Sequence, residues 1–273
     1  MDRSNCICWL GYHGSVVYES NIVVMGGFNG SSYLNDVLSS GDGGATWTEV
    51  TASAGWSARL SFGCVVYEDK IYVVSGLEVG ARIGDIWSSS DGGATWMEVT
   101  AAAGFTARLA FGCVVSDNRM YIMGGDTGSQ VNNVVSSSDG GTTWTEVTAA
   151  AGWSTRKYFS AVVQTIYDHD KIFVIGGTHI VGKARDTWSS SDGGMTWVEV
   201  APSAAWDARS AHTSVVSGYK IYILGGWDTV ALNDVWVLDT TPLVSPAVKS
   251  AVFTTWMGAH VVVLGGALVR LIM

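Results

Sequence analysis

A seven-residue pattern recurs four times: GDGGATW at Gly41–Trp47, SDGGATW at Ser90–Trp96, SDGGTTW at Ser138–Trp144 and SDGGMTW at Ser191–Trp197. Its closing tryptophans lie 49, 48 and 53 residues apart, and Arg59, Arg108, Arg156 and Arg209 keep the same three intervals. A third column follows the same beat: Asp36, Asp85, Asn133, Asp186 and Asp234. A period of about fifty residues requires one supersecondary unit that buries its apolar faces by stacking on copies of itself.

Each unit reads as four short strands. In the second copy, SFGCVVYED (from Ser61) and KIYVVSG (from Lys70) are β-branched runs joined by a polar turn. DIWSSS (from Asp85) and TWMEVT (from Thr95) flank the DGG turn as a second hairpin. The apolar strand that closes on a glycine pair occurs six times: Gly26-Gly27, Ser75-Gly76, Gly124-Gly125, Gly176-Gly177, Gly225-Gly226 and Gly265-Gly266.

The order R-x-x-[HF]-x-x-V-V, IYVVGG, NDVW, TW is similar to the kelch repeat of β-propellers. Arg209 to His212, Ile221 to Gly226 and Asn233 to Trp236 match it most fully. The S-x-D-x-G-x-T-W hairpins also resemble the Asp-box of sialidases and other bacterial propellers, so the chain is a hybrid of the two patterns. The resemblance implies an all-β fold, a six-bladed propeller of four-stranded antiparallel sheets in one domain spanning 1–273. Approximate blades are 10–57, 58–106, 107–154, 155–207, 208–247 and a partial 248–273. The fifth copy loses its hairpin after Trp236 and carries Lys249 in the arginine column, so its outer strand is expected to be shortened or absent. An incomplete ring exposes a sheet edge, which predicts pairing with a neighbour and a homo-oligomer.

Composition narrows the partners. Charged residues make up 14% of the chain and the formal net charge is −9, so no basic stripe exists to neutralise phosphates, and nucleic acid is not an expected ligand. No run of eighteen apolar residues is present, which excludes a membrane-spanning helix. The N-terminus lacks a recognisable secretory signal; the expected location is the cytoplasm, or the cell exterior if the chain belongs to a longer exported protein. Cys64 and Cys113 sit at one repeat position inside apolar runs and read as small hydrophobes, while Cys6 and Cys8 point to opposite faces if that segment is extended. His13 and His212 stand where other copies have Phe62, Phe111 and Phe159, which marks a packing position. Neither a metal nor a cofactor is expected.

Two constellations compete for function. Asp42, Asp91, Asp139 and Asp192 lie in tight hairpins, where a short carboxylate accepts hydrogen bonds from its own turn, and they stand too far apart around a ring to converge on one ion. In the AGWSAR segments, Trp56, Phe105, Trp153 and Trp206 each precede Arg59, Arg108, Arg156 and Arg209 by three residues. Two roles suit them: holding blades together, or lining the channel mouth, where guanidinium groups take carboxylates or sulfates and rings stack on sugars. No sialidase-type set of arginine triad, Tyr/Glu pair and acid Asp is evident, nor a converging His/Tyr copper set. The expected function is non-catalytic binding of a protein, peptide or glycan through the loops, with self-assembly or a sialidase-like or other propeller enzyme as alternatives.

Overall fold

The computed structural model describes residues 11–242, together with the backbone of 261–264 and 267–270. All regular elements are strands, and they form consecutive antiparallel sheets, each a blade. Blade 1 comprises β1 (Gly14–Tyr18), β2 (Asn21–Phe28), β3 (Tyr33–Ser40) and β4 (Thr48–Thr51). Blade 2 comprises β5 (Gly63–Tyr67), β6 (Lys70–Glu78), β7 (Ala81–Ser89) and β8 (Met97–Thr100). Blade 3 comprises β9 (Gly112–Ser116), β10 (Arg119–Met123), β11 (Val134–Ser137) and β12 (Thr145–Thr148). Blade 4 adds a short β13 (Arg156–Lys157) to β14 (Ser160–Ile166), β15 (His169–His179), β16 (Gly182–Ser190) and β17 (Val198–Ala201).

Blade 5 has three strands among the described residues: β18 (Thr213–Ser217), β19 (Lys220–Trp227) and β20 (Ala231–Asp239). This agrees with the loss of the fifth hairpin motif from the sequence. Beyond it, β21 (Val261–Leu264) and β22 (Ala267–Arg270) pair as an antiparallel hairpin. The expected sixth unit otherwise lies outside the described residues, as do Cys6, Cys8, Lys249 and Gly265-Gly266.

The second strand of blades 1 to 4 is sandwiched on both faces, which is why NIVVMGGF and KIYVVSGLE are continuous rather than alternating apolar runs. The glycine pair that ends the run is a β-bulge. Register shifts between Met25 and Gly27, Val74 and Gly76, Ile175 and Gly177, and Leu224 and Gly226. The bulge turns the second amide toward the next blade, where it meets the arginine carbonyl: Gly27 N–H donates to Arg59 O (2.9 Å), Gly76 to Arg108 (3.0 Å), Gly125 to Arg156 (2.9 Å) and Gly177 to Arg209 (2.8 Å). Gly177 shows why the position excludes a side chain: φ is +98°, and a Cβ there would lie 2.6 Å from Phe159 Cβ and 2.9 Å from Lys157 O.

A second ladder runs between successive inner strands. Ser61 N–H donates to Tyr12 O (3.0 Å), Ala110 to Ser61 (2.9 Å), Tyr158 to Ala110 (2.9 Å) and Ala211 to Tyr158 (2.8 Å). All five residues hold left-handed φ between 53° and 58°, a strained conformation retained because each satisfies a neighbouring blade. The Tyr12 and Tyr158 rings, from blades 1 and 4, come within 5.9 Å of each other. Four apolar cores fill the gaps between adjacent blades, and Cys64 and Cys113 pack against two of them. Burial pushes the Cys64 thiol up to about 12, so it stays protonated and unreactive.

Candidate functional site

Antiparallel strands that alternate direction send their connections to alternate ends of the propeller. The SDGG hairpins and the turns between first and second strands share one end; the loops after the glycine pairs and the AGWSAR segments share the other.

At the first end the aspartates close their own turns. Asp91 Oδ1 accepts from Thr95 N–H (2.9 Å) and Ser89 Oγ (2.8 Å), and Oδ2 from Thr95 Oγ1 (2.6 Å). Asp42, Asp139 and Asp192 repeat this set with Thr46, Thr143 and Thr196. Burial raises the Asp91 carboxyl, but the Thr95 and Ser89 donors outweigh it and hold it below its ordinary value. The turn also anchors the neighbouring blade: a Cβ on Gly93 would lie 2.7 Å from Val37, and Thr51 Oγ1 donates to Gly93 O (2.8 Å). Among the described residues no group of three or more His, Cys, Asp or Glu is placed to hold a metal.

At the second end the arginines are spoken for within the fold. Arg59 is fully buried, and its Nη1 and Nη2 donate to the two carboxylate oxygens of Asp85 at 2.7 and 2.8 Å. Arg156 grips Asp186 at 2.7 and 2.7 Å, and Arg209 grips Asp234 at 2.7 and 2.9 Å. Each also donates to the carbonyl of the first residue of its own blade's glycine pair: Ser75, Gly176 and Gly225. The hydrogen bonds from Arg156 and Trp188 lower the Asp186 carboxyl against the upward push of burial. An indole two residues after each aspartate completes the set: Trp87, Trp188 and Trp236 Nε1 donate to Asp85, Asp186 and Asp234 Oδ2.

The aromatic three residues upstream belongs to the same unit. Arg59, Arg108 and Arg156 lie 5.7, 5.5 and 5.9 Å over the rings of Trp56, Phe105 and Trp153. Trp56 and Trp153 meet Trp96 and Trp197 edge to face, and Trp206 is buried in the core between blades 4 and 5. A ring of guanidinium groups open around one axis is therefore not what the chain builds. The arginines and tryptophans of the AGWSAR segments point into the blades, and the charges of Arg59, Arg156 and Arg209 are each matched by an aspartate in the same sheet.

Blade 3 departs from this scheme. Arg108 is equally buried, but its partner is Asn133, whose Oδ1 accepts from Nη1 at 3.0 Å. The other Nη1 bond goes to Gly124 O (2.9 Å) and Nε donates to Thr106 O (3.1 Å). Burial lowers the Arg108 pKa to about 10, with the Glu146 charge pulling the other way. A cavity of about 240 Å³ opens beside these groups. The Asn133 substitution stood in the sequence column of aspartates, and Val135, two residues on, stands where three other units carry tryptophan.

What the loop end presents to solvent includes large apolar side chains. Val79, Ile180 and Val181 are 83%, 89% and 84% exposed at the tips of the loops of blades 2 and 4, and Trp227 and Val230 are also exposed on blade 5. Lys183 reaches across to blade 5, donating to Asp228 O and lying 3.6 Å from its carboxylate. Arg82, Asp126 and Lys157 likewise tie blades 2, 3 and 4 through contacts of 2.6 and 2.7 Å.

No curated protein matches the chain. Residues 94–266 match the family described as the KLHDC2/KLHL20/DRC7 Kelch-repeats domain. That span covers more than half of the chain and includes blades 3 to 5 with Arg108, Arg156 and Arg209, so the chain belongs to this kelch-repeat family.

Proposed function

We propose that the chain is a protein-binding scaffold whose recognition surface is the loop end of the propeller. Kelch-repeat domains mediate protein interactions, and the observation that carries the reading here is the clustering of exposed apolar tips on blades 4 and 5. Ile180, Val181, Trp227 and Val230 stand in solvent next to the Lys183–Asp228 bridge. A rigid scaffold that spends several large apolar side chains on loop tips offers the anchors that protein interfaces use. A protein suits this surface better than a glycan, because Trp56, Trp153 and Trp206, the rings a sugar would stack on, are closed inside the blades.

Changing Ile180 and Trp227 together to aspartate is expected to abolish partner recovery by cross-linking and affinity capture, without loss of fold. Met195→Asp, at the exposed hairpin end, is the control and should leave recovery intact. Loss with the control and retention with the loop variant would place the interface at the wrong end.

Blade 5 favours a second reading, self-association. Val215, Val235 and Val237 are exposed on a sheet that has three strands among the described residues. If copies pair there, light scattering at high concentration shows a dimer or larger species, and Val235→Lys with Val237→Lys returns it to monomer mass. A monomer at every concentration removes this reading.

A further inference from the structure

The blade 3 cavity combines two coupled departures from blades 2, 4 and 5. The repeated unit is Asp-x-Trp: Asp85-Ile86-Trp87, Asp186-Thr187-Trp188 and Asp234-Val235-Trp236, but in blade 3 it reads Asn133-Val134-Val135. Both the carboxylate that neutralises the arginine and the indole that caps that carboxylate are missing. Val135 pairs with Glu146 in the register where Trp87 pairs with Glu98 and Trp188 with Glu199, so the positions correspond. The loop glycine facing the indole reports the vacated space. A Cβ on Gly55 would lie 3.1 Å from Trp87, and one on Gly152 3.3 Å from Trp188, while Gly104 has nothing within 4 Å.

The electrostatics are equally incomplete. Arg108 Nη2 makes no hydrogen bond among the described residues, whereas Nη2 of Arg59, Arg156 and Arg209 donates to a carboxylate oxygen at 2.7 to 2.9 Å. Asn133 turns its Nδ2 toward Glu146, 3.5 Å away, too long to count for much. Gln130 lines the same cavity, and its Oε1 is buried without a partner among the described residues. Arg108 Nη2 is thus a guanidinium donor open to the cavity, and an anion there would complete the fork.

We propose that this cavity is a binding site for a small aromatic carboxylate. Its carboxylate takes the place of the missing aspartate on Arg108, and its ring takes the place of the missing indole, against the cavity wall that includes Glu146 and Ala149. The chain itself shows the chemistry three times over, as a carboxylate held by arginine and covered by a flat ring. The volume of about 240 Å³ falls just under the roughly 300–1,000 Å³ of drug-sized pockets and suits a single ring. A dianion such as phosphate is disfavoured because Glu146 lines the same wall. The site goes beyond the loop-end reading and is independent of it: partner capture can fail while the carboxylate binds, and the reverse.

The test is calorimetric titration of the full chain with benzoate, its neutral isostere benzamide, and acetate. Benzoate is expected to saturate the chain, with benzamide and acetate each at least tenfold weaker. Asn133→Asp supplies the carboxylate internally and should weaken benzoate at least tenfold while leaving the unfolding temperature the same or higher. Val135→Trp should do the same by filling the ring space, and Glu146→Gln should tighten benzoate severalfold. Failure of benzoate to saturate, equal binding of benzamide, or undiminished binding by a folded Asn133→Asp variant overturns the proposal. Acetate binding as tightly as benzoate overturns the assignment of the ring.

Discussion

Replacing Arg156 with methionine is expected to destabilise the protein by about 3–5 kcal/mol, the cost of stranding one member of a buried ion pair. The side chain is 1% exposed, and its removal leaves the Asp186 carboxylate without its cation and deprives Gly176 O and Ser154 O of their donors. Asp186→Asn should cost clearly less, because blade 3 already folds around an Arg–Asn pair. The double change Arg156→Met with Asp186→Leu should recover much of the loss by leaving no charge unpaired. Urea unfolding at pH 7 measures all three. A loss under about 1 kcal/mol for Arg156→Met would mean that the fork contributes little net energy and serves only to set the blade geometry.

The periodicity made the fold legible and left the pairing hidden. Four strands per unit, the glycine pairs and the shortened fifth unit could be read from the chain, because turn chemistry and apolar runs are local signals. That Arg59 meets Asp85 while Arg108 meets Asn133 could not be read in the same way. The two columns recur with the same interval, so the spacing states that each has one role and does not reveal that the roles are each other's. Equal periods made a ligand-lining ring of arginines as plausible as an internal latch. What decides is the direction of each guanidinium, set by the inward pitch of the chain as it enters the first strand. The bulge at each glycine pair is a similar case. The two glycines announce a backbone that needs positive φ, but only the register shift shows that the second amide is aimed at the next blade's arginine carbonyl. The exposed loop tips had no shared pattern to find, since recognition surfaces vary where scaffolds repeat.

These two layers also explain why function concentrates where the repeat fails. A site built from residues present in every blade is already consumed by holding blades together, as the three complete Arg–Asp–Trp sets show. Blade 3 keeps the arginine and gives up both of its partners, so its spare hydrogen-bonding capacity is free to meet something that is not part of the chain. Blades 4 and 5 keep the scaffold and vary only the tips, which are free to meet a partner surface.

His212 is the position where the repeat fails at a cost to the fold, and its replacement by phenylalanine is expected to stabilise the protein and remove a pH dependence. Phe62, Phe111 and Phe159 fill the equivalent sites, and His212 packs against Gly176 as Phe159 packs against Gly124. The imidazole is buried, and neither ring nitrogen has a hydrogen-bond partner among the described residues. Burial, and then the positive charge of Arg209, push its pKa down to about 4. The folded protein therefore holds this ring neutral, while the unfolded chain protonates it at an ordinary pKa of about 6.5. Stability from this residue is complete above pH 6.5 and falls as pH drops toward 4, by about 3 kcal/mol over the window. Carboxylates held low, such as Asp126 at about 2, lose their contribution only below their unfolded value of 3.8, so the two effects separate. His212→Phe should add about 1–2 kcal/mol at pH 7.5 by removing two unsatisfied buried polar atoms. Comparing unfolding free energies at pH 7.5 and 4.5, the parent should lose most of its 3 kcal/mol and the variant little. A variant that loses as much as the parent would assign the acid sensitivity to another group, and one less stable than the parent at pH 7.5 would show that the imidazole makes a contact the phenyl ring cannot.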